Sequence, residues 1–500
     1  MTHSLAALLV PELRWDRDHG FEYLRESIDD AIELGVGGFL ITGGPRDAVS
    51  SLTMELHRRS RHPLLIAADA ECGAGQQFTG MTGLPPAAAL GALHDAEVVR
   101  RAARLTARES RALGVNWLLA PVCDMDIDPR NPFLGSRAFS HDPQRVAEWA
   151  VEWIDTCQAE GVLACAKHFP GIGRAISDPH VAVSHVDETA GVIWDDDLLP
   201  FRAAVDTGVA SIMAAHVVFP RLDASGAPAS RSFPLLVELL RTELRYDGLI
   251  VSDSLSMAGA RFGTDEPTAA LESLQGGCDL LLAPADLVGV LEALDAARDD
   301  GRLDLDAVEA SRSRRTFWAN WGRSEHGREP TLDDVLWARQ AADSVVHAVK
   351  GVIPNVGPVV DVILVEDVVE ESAVALMARG AGVGTVATAR GSDGAHLLET
   401  MRAVGLSPRL VAAPTAEAGG SVVVAVFGGA APGRGRAGYS DATRRRVAQV
   451  MADARQAQRS AVVLMFGPPR LADALPEAQN VVCCWNGERA MQEAAARRLV

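Results

Sequence analysis

VLACAKHFPGIGRAISDPH, residues 162–180, starts as a run of small and apolar residues and ends in side chains with chemistry. Val162 to His168 has the length of a buried strand and stops at the charged pair Lys167-His168. Two prolines and two glycines then fix an irregular loop. Working outward, the same pattern recurs. Short apolar runs bounded by turn or polar residues lie at 5–10, 38–42, 64–69, 116–122, 162–168, 211–216, 249–253 and 279–283. The stretches between them carry helical periodicity, as in AEVVRRAARLTARESRAL at 96–113 and again over 142–159. Buried strands alternating with amphipathic helices are parallel β/α units, and eight in succession predict a (β/α)8 TIM barrel. On periodicity alone, a doubly wound open sheet is the competing arrangement.

Five of the runs end in, or just before, reactive side chains: Asp69, Asp124, Lys167-His168, His216 and Asp253. Any strand must end in something polar, so each alone says little. Together they resemble a site written in one dimension, because TIM barrels build their sites at the carboxyl ends of the strands.

A helical segment at 305–318 and the polar stretch GRSEHGREPT at 322–331 follow the eighth run. The domain boundary is placed there, giving an α/β barrel over 1–325 and a smaller open α/β sandwich over 326–500. Strands are expected at 359–365, 421–427, 461–466 and 481–485, with helices at 370–378, 442–454 and 488–499. GGAAPGRGRAG at 428–438 fits no phosphate-loop pattern and reads as a flexible surface loop.

The balance of 47 Lys+Arg against 66 Asp+Glu, a net −19, argues against nucleic acid or an anionic membrane as a partner. The amino-terminal apolar run lacks a basic start and a small-residue cleavage site, so a cytoplasmic protein is expected. Seven cysteines show neither a disulfide framework nor zinc-ligand spacing, and no cofactor is expected. His168, His180, His185 and His216 could in principle cluster, yet no His-x-His or His-Glu-x-x-His spacing occurs, so no metal is expected.

Asp178 and His180 flank Pro179, so both side chains can point to one side of an extended loop. A carboxylate accepting the imidazole N–H fixes its tautomer and equips His180 for acid–base work near neutral pH. An isolated Asp-x-His is more often a hydrogen-bonded surface histidine. Asp253, ending the strand in GLIVSDSLSM (248–257), could serve as a nucleophile, an electrostatic stabiliser or a metal ligand.

Lys167-His-Phe-Pro-Gly-x-Gly with Asp178-x-His180 resembles the signature of glycoside hydrolase family 3, in its β-N-acetylglucosaminidase branch. LLIAADAECG (64–73), LLAPVCDMDIDPRNPFLGSRAFSHDP (118–143), MAAHVVFP (213–220) and VSDSLSM (251–257) are similar to that family's strand-end segments, in the same order. The resemblance implies that Asp253 is the nucleophile of a retaining reaction and that His180, supported by Asp178, is the acid/base. It implies sugar-binding roles for Asp69, Arg137, Lys167 and His168, with Asp124, His216 and Met257 beside them. The chain departs from the family's pattern at Cys72, Ala74, Gln77 and Ile172, the second and third standing where Arg is usual and the last where His is usual. In related β-glucosidases a second-domain Glu is the acid/base; Glu488 is of that kind, but the Asp-x-His loop makes the role redundant, and the second domain is expected to be structural or oligomeric.

The implied activity is removal of terminal β-linked N-acetylglucosamine from glycosides such as peptidoglycan or chitin fragments. Phosphorolysis of the same substrates is the alternative, since a deprotonated His is neutral where a Glu would repel phosphate. A different family-3 β-glycosidase, or an amino-sugar-binding barrel without turnover, completes the set. The expected partner is a small amino-sugar glycoside, with a homodimer left open.

Overall fold

The computed structural model describes residues 5–180, 182–261, 263–322, 330–367, 394–414, 420–428 and 436–500. Each of the eight apolar runs supplies a strand. These are β1 (Leu9–Val10, continued past Pro11 as Glu12–Arg14), β2 (Gly38–Thr42), β3 (Leu65–Ala68), β4 (Trp117–Leu118), β5 (Cys165–Phe169), β6 (Ser211–Ala214), β7 (Leu249–Ser252) and β8 (Leu281–Leu282). All the pairings are parallel, and they run around a ring. β1 pairs with β2, β2 with β3 and β3 with β4. Single bridges join β4 to β5 at Trp117–Leu163 and β7 to β8 at Val251–Leu280, while β6 pairs with β5 and β7. The ring closes where Val10 faces Leu282 across β1 and β8, and the Ala283 N–H reaches the Val10 carbonyl at 2.8 Å. The competing open sheet is thereby excluded.

Successive strand residues face opposite sides. Val10, Leu40, Ala67, Trp117, Met213 and Val251 pack with one another inside the ring. Their neighbours Leu9, Phe39, Ile66, Leu118, Ile212 and Ile250 join the larger core between strands and helices. This explains why the strands read as continuous apolar runs rather than alternating ones: both faces are covered. Trp117 is fully buried in the lumen, and its indole N–H donates to Ser211 Oγ at 2.7 Å. Ser211 in turn donates to the Ala164 carbonyl at 2.8 Å.

The helix expected at 305–318 extends over Leu305–Trp321 and closes the amino-terminal mouth. Its Trp318, Ala319 and Trp321 pack onto the lumen residues, and Arg315 donates to the Gly37 carbonyl at 2.8 Å. The expected boundary at 325/326 and the helix expected at 370–378 lie outside the described residues, as does most of the loop expected at 428–438.

The second sheet contains β9 (His347–Lys350), β10 (Val359–Glu366), β11 (Ser407–Leu410), β12 (Ser421–Phe427), β13 (Ala461–Phe466) and β14 (Val481–Cys483). Their order is β9-β14-β13-β12-β10-β11, parallel except for β9. The sequence pattern anticipates β10, β12, β13 and β14. It misses β9 and β11, whose residues are mostly half-buried or exposed and carry no apolar run.

The carboxyl ends of this sheet reach the carboxyl side of the barrel. Arg470, beyond β13, pairs with Asp126 beyond β4. Asn486, beyond β14, lies 3.9 Å from the Cys72 sulfur beyond β3. No helix among the described residues is long and apolar enough to cross a membrane.

Replacing Ser211 by Ala would leave the buried Trp117 N–H without its acceptor in a dry lumen. The expected cost is about 1–3 kcal/mol, read as a lower denaturant midpoint with the same cooperativity; an unchanged midpoint would show that the indole finds another partner.

Candidate active site

The barrel's carboxyl rim gathers the residues singled out from the sequence. Asp69 follows directly on β3, and the Lys167 ammonium, pointing up from within β5, meets its Oδ1 at 2.7 Å. The same ammonium lies 2.7 Å from Glu71 Oε1. Glu71 also receives both prongs of the Arg137 guanidinium, at 2.8 and 2.7 Å. Two cations and two carboxylates thus form one chain, Asp69–Lys167–Glu71–Arg137. Burial alone would raise the Glu71 carboxyl, but Arg137 and Lys167 outweigh it and hold the group well below the usual carboxylate range. Burial alone would lower the Lys167 ammonium; Asp69 and Glu71 reverse that. Lys167 and Glu71 are almost wholly enclosed, while the Asp69 side chain remains 43% exposed. Asp69 is therefore the most exposed member of the chain, with the Arg137 side chain 19% exposed.

Glu71 is absent from the sequence-based set. Its signal is the Asp69-x-Glu71 spacing, which puts two carboxylates on one side of the extended segment leaving β3.

Beside this chain, the buried Asp124 carboxylate orients the loop after β5. Its Oδ2 accepts from His168 Nδ1 at 2.6 Å, and its Oδ1 accepts the Ile172 N–H at 2.8 Å. Ile172 is itself buried in the core.

Asp253 follows directly on β7 and is partly exposed, with its Oδ1 accepting the Ser254 N–H at 2.8 Å. Burial would raise its carboxyl, but His168, His216 and His180, with the Ser254 N–H, bring it below its ordinary value. Three imidazoles therefore lie within electrostatic range of this carboxylate. His216 uses both ring nitrogens on the protein: Ser230 Oγ lies 2.7 Å from Nδ1, and the Ser254 carbonyl 3.1 Å from Nε2. A carbonyl only accepts, so Nε2 carries a proton and donates to it, while the Ser230 hydroxyl pairs with Nδ1. Burial pushes this ring below its ordinary value, and its two hydrogen bonds fix the turn after Asp253. Met257 is buried within that turn, where its N–H reaches the Ser254 carbonyl.

The loop after β5 ends in the Asp178–His180 pair. Asp178 is buried, and its Oδ1 accepts from both the backbone N–H and Nδ1 of His180, at 2.9 and 2.7 Å. With Nδ1 held as a donor to the carboxylate, Nε2 is the nitrogen for proton exchange. His185 points outward on the short strand Ser184–His185. Among the described residues, no group of three or more His, Cys, Asp or Glu side chains is placed to hold a metal ion.

The departures from the family pattern have structural substitutes. Gln77 turns its amide inward, donating to the Asp69 carbonyl at 2.8 Å. Gln76 accepts the Cys72 N–H at 2.8 Å. Burial, then the carboxylates of Glu488 and Glu71, push the Cys72 thiol up; the Glu488 N–H donates at 3.2 Å to Oδ1 of Asn486, the residue that reaches the Cys72 sulfur.

Comparison with known proteins follows the same lines. The model of the glycosyl hydrolase family 3 N-terminal domain matches residues 23–316. A β-hexosaminidase from Thiobacillus denitrificans is 38% identical over 267 residues, 52% of this chain and 73% of its own length. A β-N-acetylglucosaminidase/β-glucosidase from Cellulomonas fimi is 35% identical over 292 residues, 56% of this chain and 51% of its own. Among solved structures, a family 3 β-N-acetylglucosaminidase from a Paenibacillus species superposes with a TM-score of 0.81 at 24% identity, covering 100% of this chain and 96% of that one. A β-glucoside phosphorylase gives 0.80 at 19% identity, covering 99% and 91%. At these identities the two structures establish a shared fold across both the barrel and the second sheet.

Glu71→Gln should cost about 3–5 kcal/mol at neutral pH, because it leaves two buried cations short of a carboxylate. The wild-type carboxyl is depressed in the folded state, so its contribution is complete above the unfolded value near 4.5 and fades as pH falls through the lowered native value. Denaturant unfolding of both proteins should therefore show the gap narrowing below about pH 4; a gap that widens there would contradict the charge network.

Proposed function

The chain belongs to glycosyl hydrolase family 3, and on that premise we propose that it is a retaining exo-β-N-acetylglucosaminidase. The observation that carries the proposal is the juxtaposition at the rim: Asp253 stands at the end of β7, and the loop bearing the hydrogen-bonded His180–Asp178 pair is tied, at the Pro179 carbonyl, to the Gly259 N–H six residues further on. The curated relatives support the sugar class, being β-hexosaminidases over the barrel.

The ionised Asp253 attacks the anomeric carbon, forming a glycosyl ester as the bond to the leaving oxygen breaks. The proton on His180 Nε2 passes to that oxygen, and the buried Asp178 stabilises the imidazolium from which it comes. In the second step the neutral imidazole takes a proton from water as water attacks the ester, and Asp253 is released as a carboxylate. Asp69, steadied by Lys167, accepts sugar hydroxyls, and His168, oriented by Asp124, flanks the ring. Terminal residues of peptidoglycan or chitin fragments are the natural substrates this reading supports.

One feature favours a second acceptor. After the first step the acid/base is a neutral imidazole rather than a carboxylate, so phosphate is not repelled from the ester. Hydrolysis is the primary reading, and the product decides: N-acetylglucosamine in phosphate buffer supports it, and N-acetylglucosamine 1-phosphate as the main product overturns it.

Asp253→Ala should abolish turnover of nitrophenyl N-acetyl-β-glucosaminide while N-acetylglucosamine still binds; full activity would refute the nucleophile. His180→Ala should lower kcat/KM on the order of 10²–10⁴-fold for alkyl aglycones, and far less for dinitrophenyl aglycones that leave without a proton. Equal losses on the two would refute its role as the acid.

A further inference from the structure

The acid/base pair sits on a loop, and a proton donor a fraction of an ångström out of place is a poor one. The loop's base is well held. Ser177 Oγ lies 3.1 Å from Ser184 Oγ, and Ser184-His185 pair with Val217-Val218 just beyond His216. Its tip is held differently. Among the described residues, one backbone hydrogen bond ties residues 178–183 to another part of the barrel: the Gly259 N–H donates to the Pro179 carbonyl at 2.8 Å. Pro179 lies between the two members of the pair. Gly259 lies in the single helical turn Ala258–Arg261 that follows the nucleophile's segment.

Two physical features make this contact what it is. The first N–H groups of a helix have no partner within it, so the Gly259 N–H is available to an outside carbonyl. The absence of a side chain at Gly259 lets the loop approach: a Cβ there would lie 2.8 Å from the Pro179 oxygen, 3.1 Å from the His216 oxygen and 3.3 Å from the His216 Cβ. The first two neighbours are backbone atoms and the third is the Cβ that carries a buried ring held at both nitrogens. None can turn aside as the end of a flexible side chain would. The loop is tied across this contact by that single backbone bond, and a Cβ would lift it.

We propose that Gly259 is a positioning residue, latching the Asp178–His180 loop onto the turn that follows Asp253 and so setting the distance between proton donor and nucleophile. The inference rests on the assignment of His180 as the acid. The latch joins the donor to the segment after Asp253 that His216 also fixes, at the Ser254 carbonyl, so the two groups that must flank the anomeric carbon are referenced to one piece of backbone.

The test is Gly259→Ala in the full chain, read in two ways. Steady-state kinetics should show kcat/KM for an alkyl N-acetyl-β-glucosaminide reduced on the order of 10²-fold, against a much smaller loss for the dinitrophenyl glycoside and an unchanged affinity for N-acetylglucosamine. Amide exchange followed by mass spectrometry should show faster exchange in peptides spanning residues 174–186 and unchanged exchange in the strands. Equal kinetic losses on both glycosides overturn the proposal, as does unchanged exchange in the loop. His180→Ala serves as the reference: if it shows no dependence on the leaving group, the acid assignment itself has failed, and the catalytic role of the latch fails with it even where the loop exchanges faster.

Discussion

Closing eight parallel strands into a ring is the constraint from which the site follows. Once the Ala283 N–H reaches the Val10 carbonyl, no strand can slide without breaking pairing on both sides. Every carboxyl end then points to one rim. The lumen is packed solid around Trp117, so side chains longer than the packing allows must emerge at that rim or not at all. Lys167 emerges there from inside β5, and its charge has to be met. Asp69 and Glu71 meet it, Arg137 balances Glu71, and what remains open to solvent is mainly one oxygen-bearing side chain. The rim is thus nearly neutral in its foundations and carries its reactivity in Asp253 and the histidines around it.

Much of this was legible because buried parallel strands announce themselves. Apolar runs covered on both faces need no alternation, and each ended where the side chains turned polar, so Asp69, Lys167, His168 and Asp253 could be placed at strand ends from spacing alone. Asp178 and His180 were legible only by their position after such a strand. Glu71 had only its spacing from Asp69 to mark it, because a carboxylate three residues past β3 carries no sign of the Arg137 that binds it from 66 positions away. Gly259 was invisible for a related reason: what matters there is the atom it lacks and the carbonyl that fills the space. Nor does sequence spacing reveal that Arg470 meets Asp126 across 344 residues. The edge strands β9 and β11 escaped notice because half-exposed strands lose the apolar pattern that identifies central ones.

The second sheet changes how the rim should be understood. Its carboxyl edge supplies Arg470 to the segment that carries Asp124, and brings Asn486 and Glu488 close to the segment that carries Asp69 and Glu71. The segments that leave β3 and β4 are therefore each buttressed from outside the barrel. Gln76 and Gln77, standing between them, answer backbone groups of the same segment, so a stretch that departs from the family pattern is still firmly placed.

The split form of β1 has a consequence for how the chain is made. β1 finds its first neighbour, β2, within about 30 residues, but its second, β8, is translated about 270 residues later, which at roughly 5–20 residues per second is a wait of some 15 to 55 seconds. During that interval one flank of β1 is an unpaired edge beside a ribosome, open to any strand that passes. β1 offers such a strand little purchase. Pro11 cuts it after Val10, only two of its residues are destined to pair with β8, and the charged Glu12 and Arg14 come immediately after. The brevity of the strand that completes the ring guards a nascent chain against false partners until its true one has been synthesised.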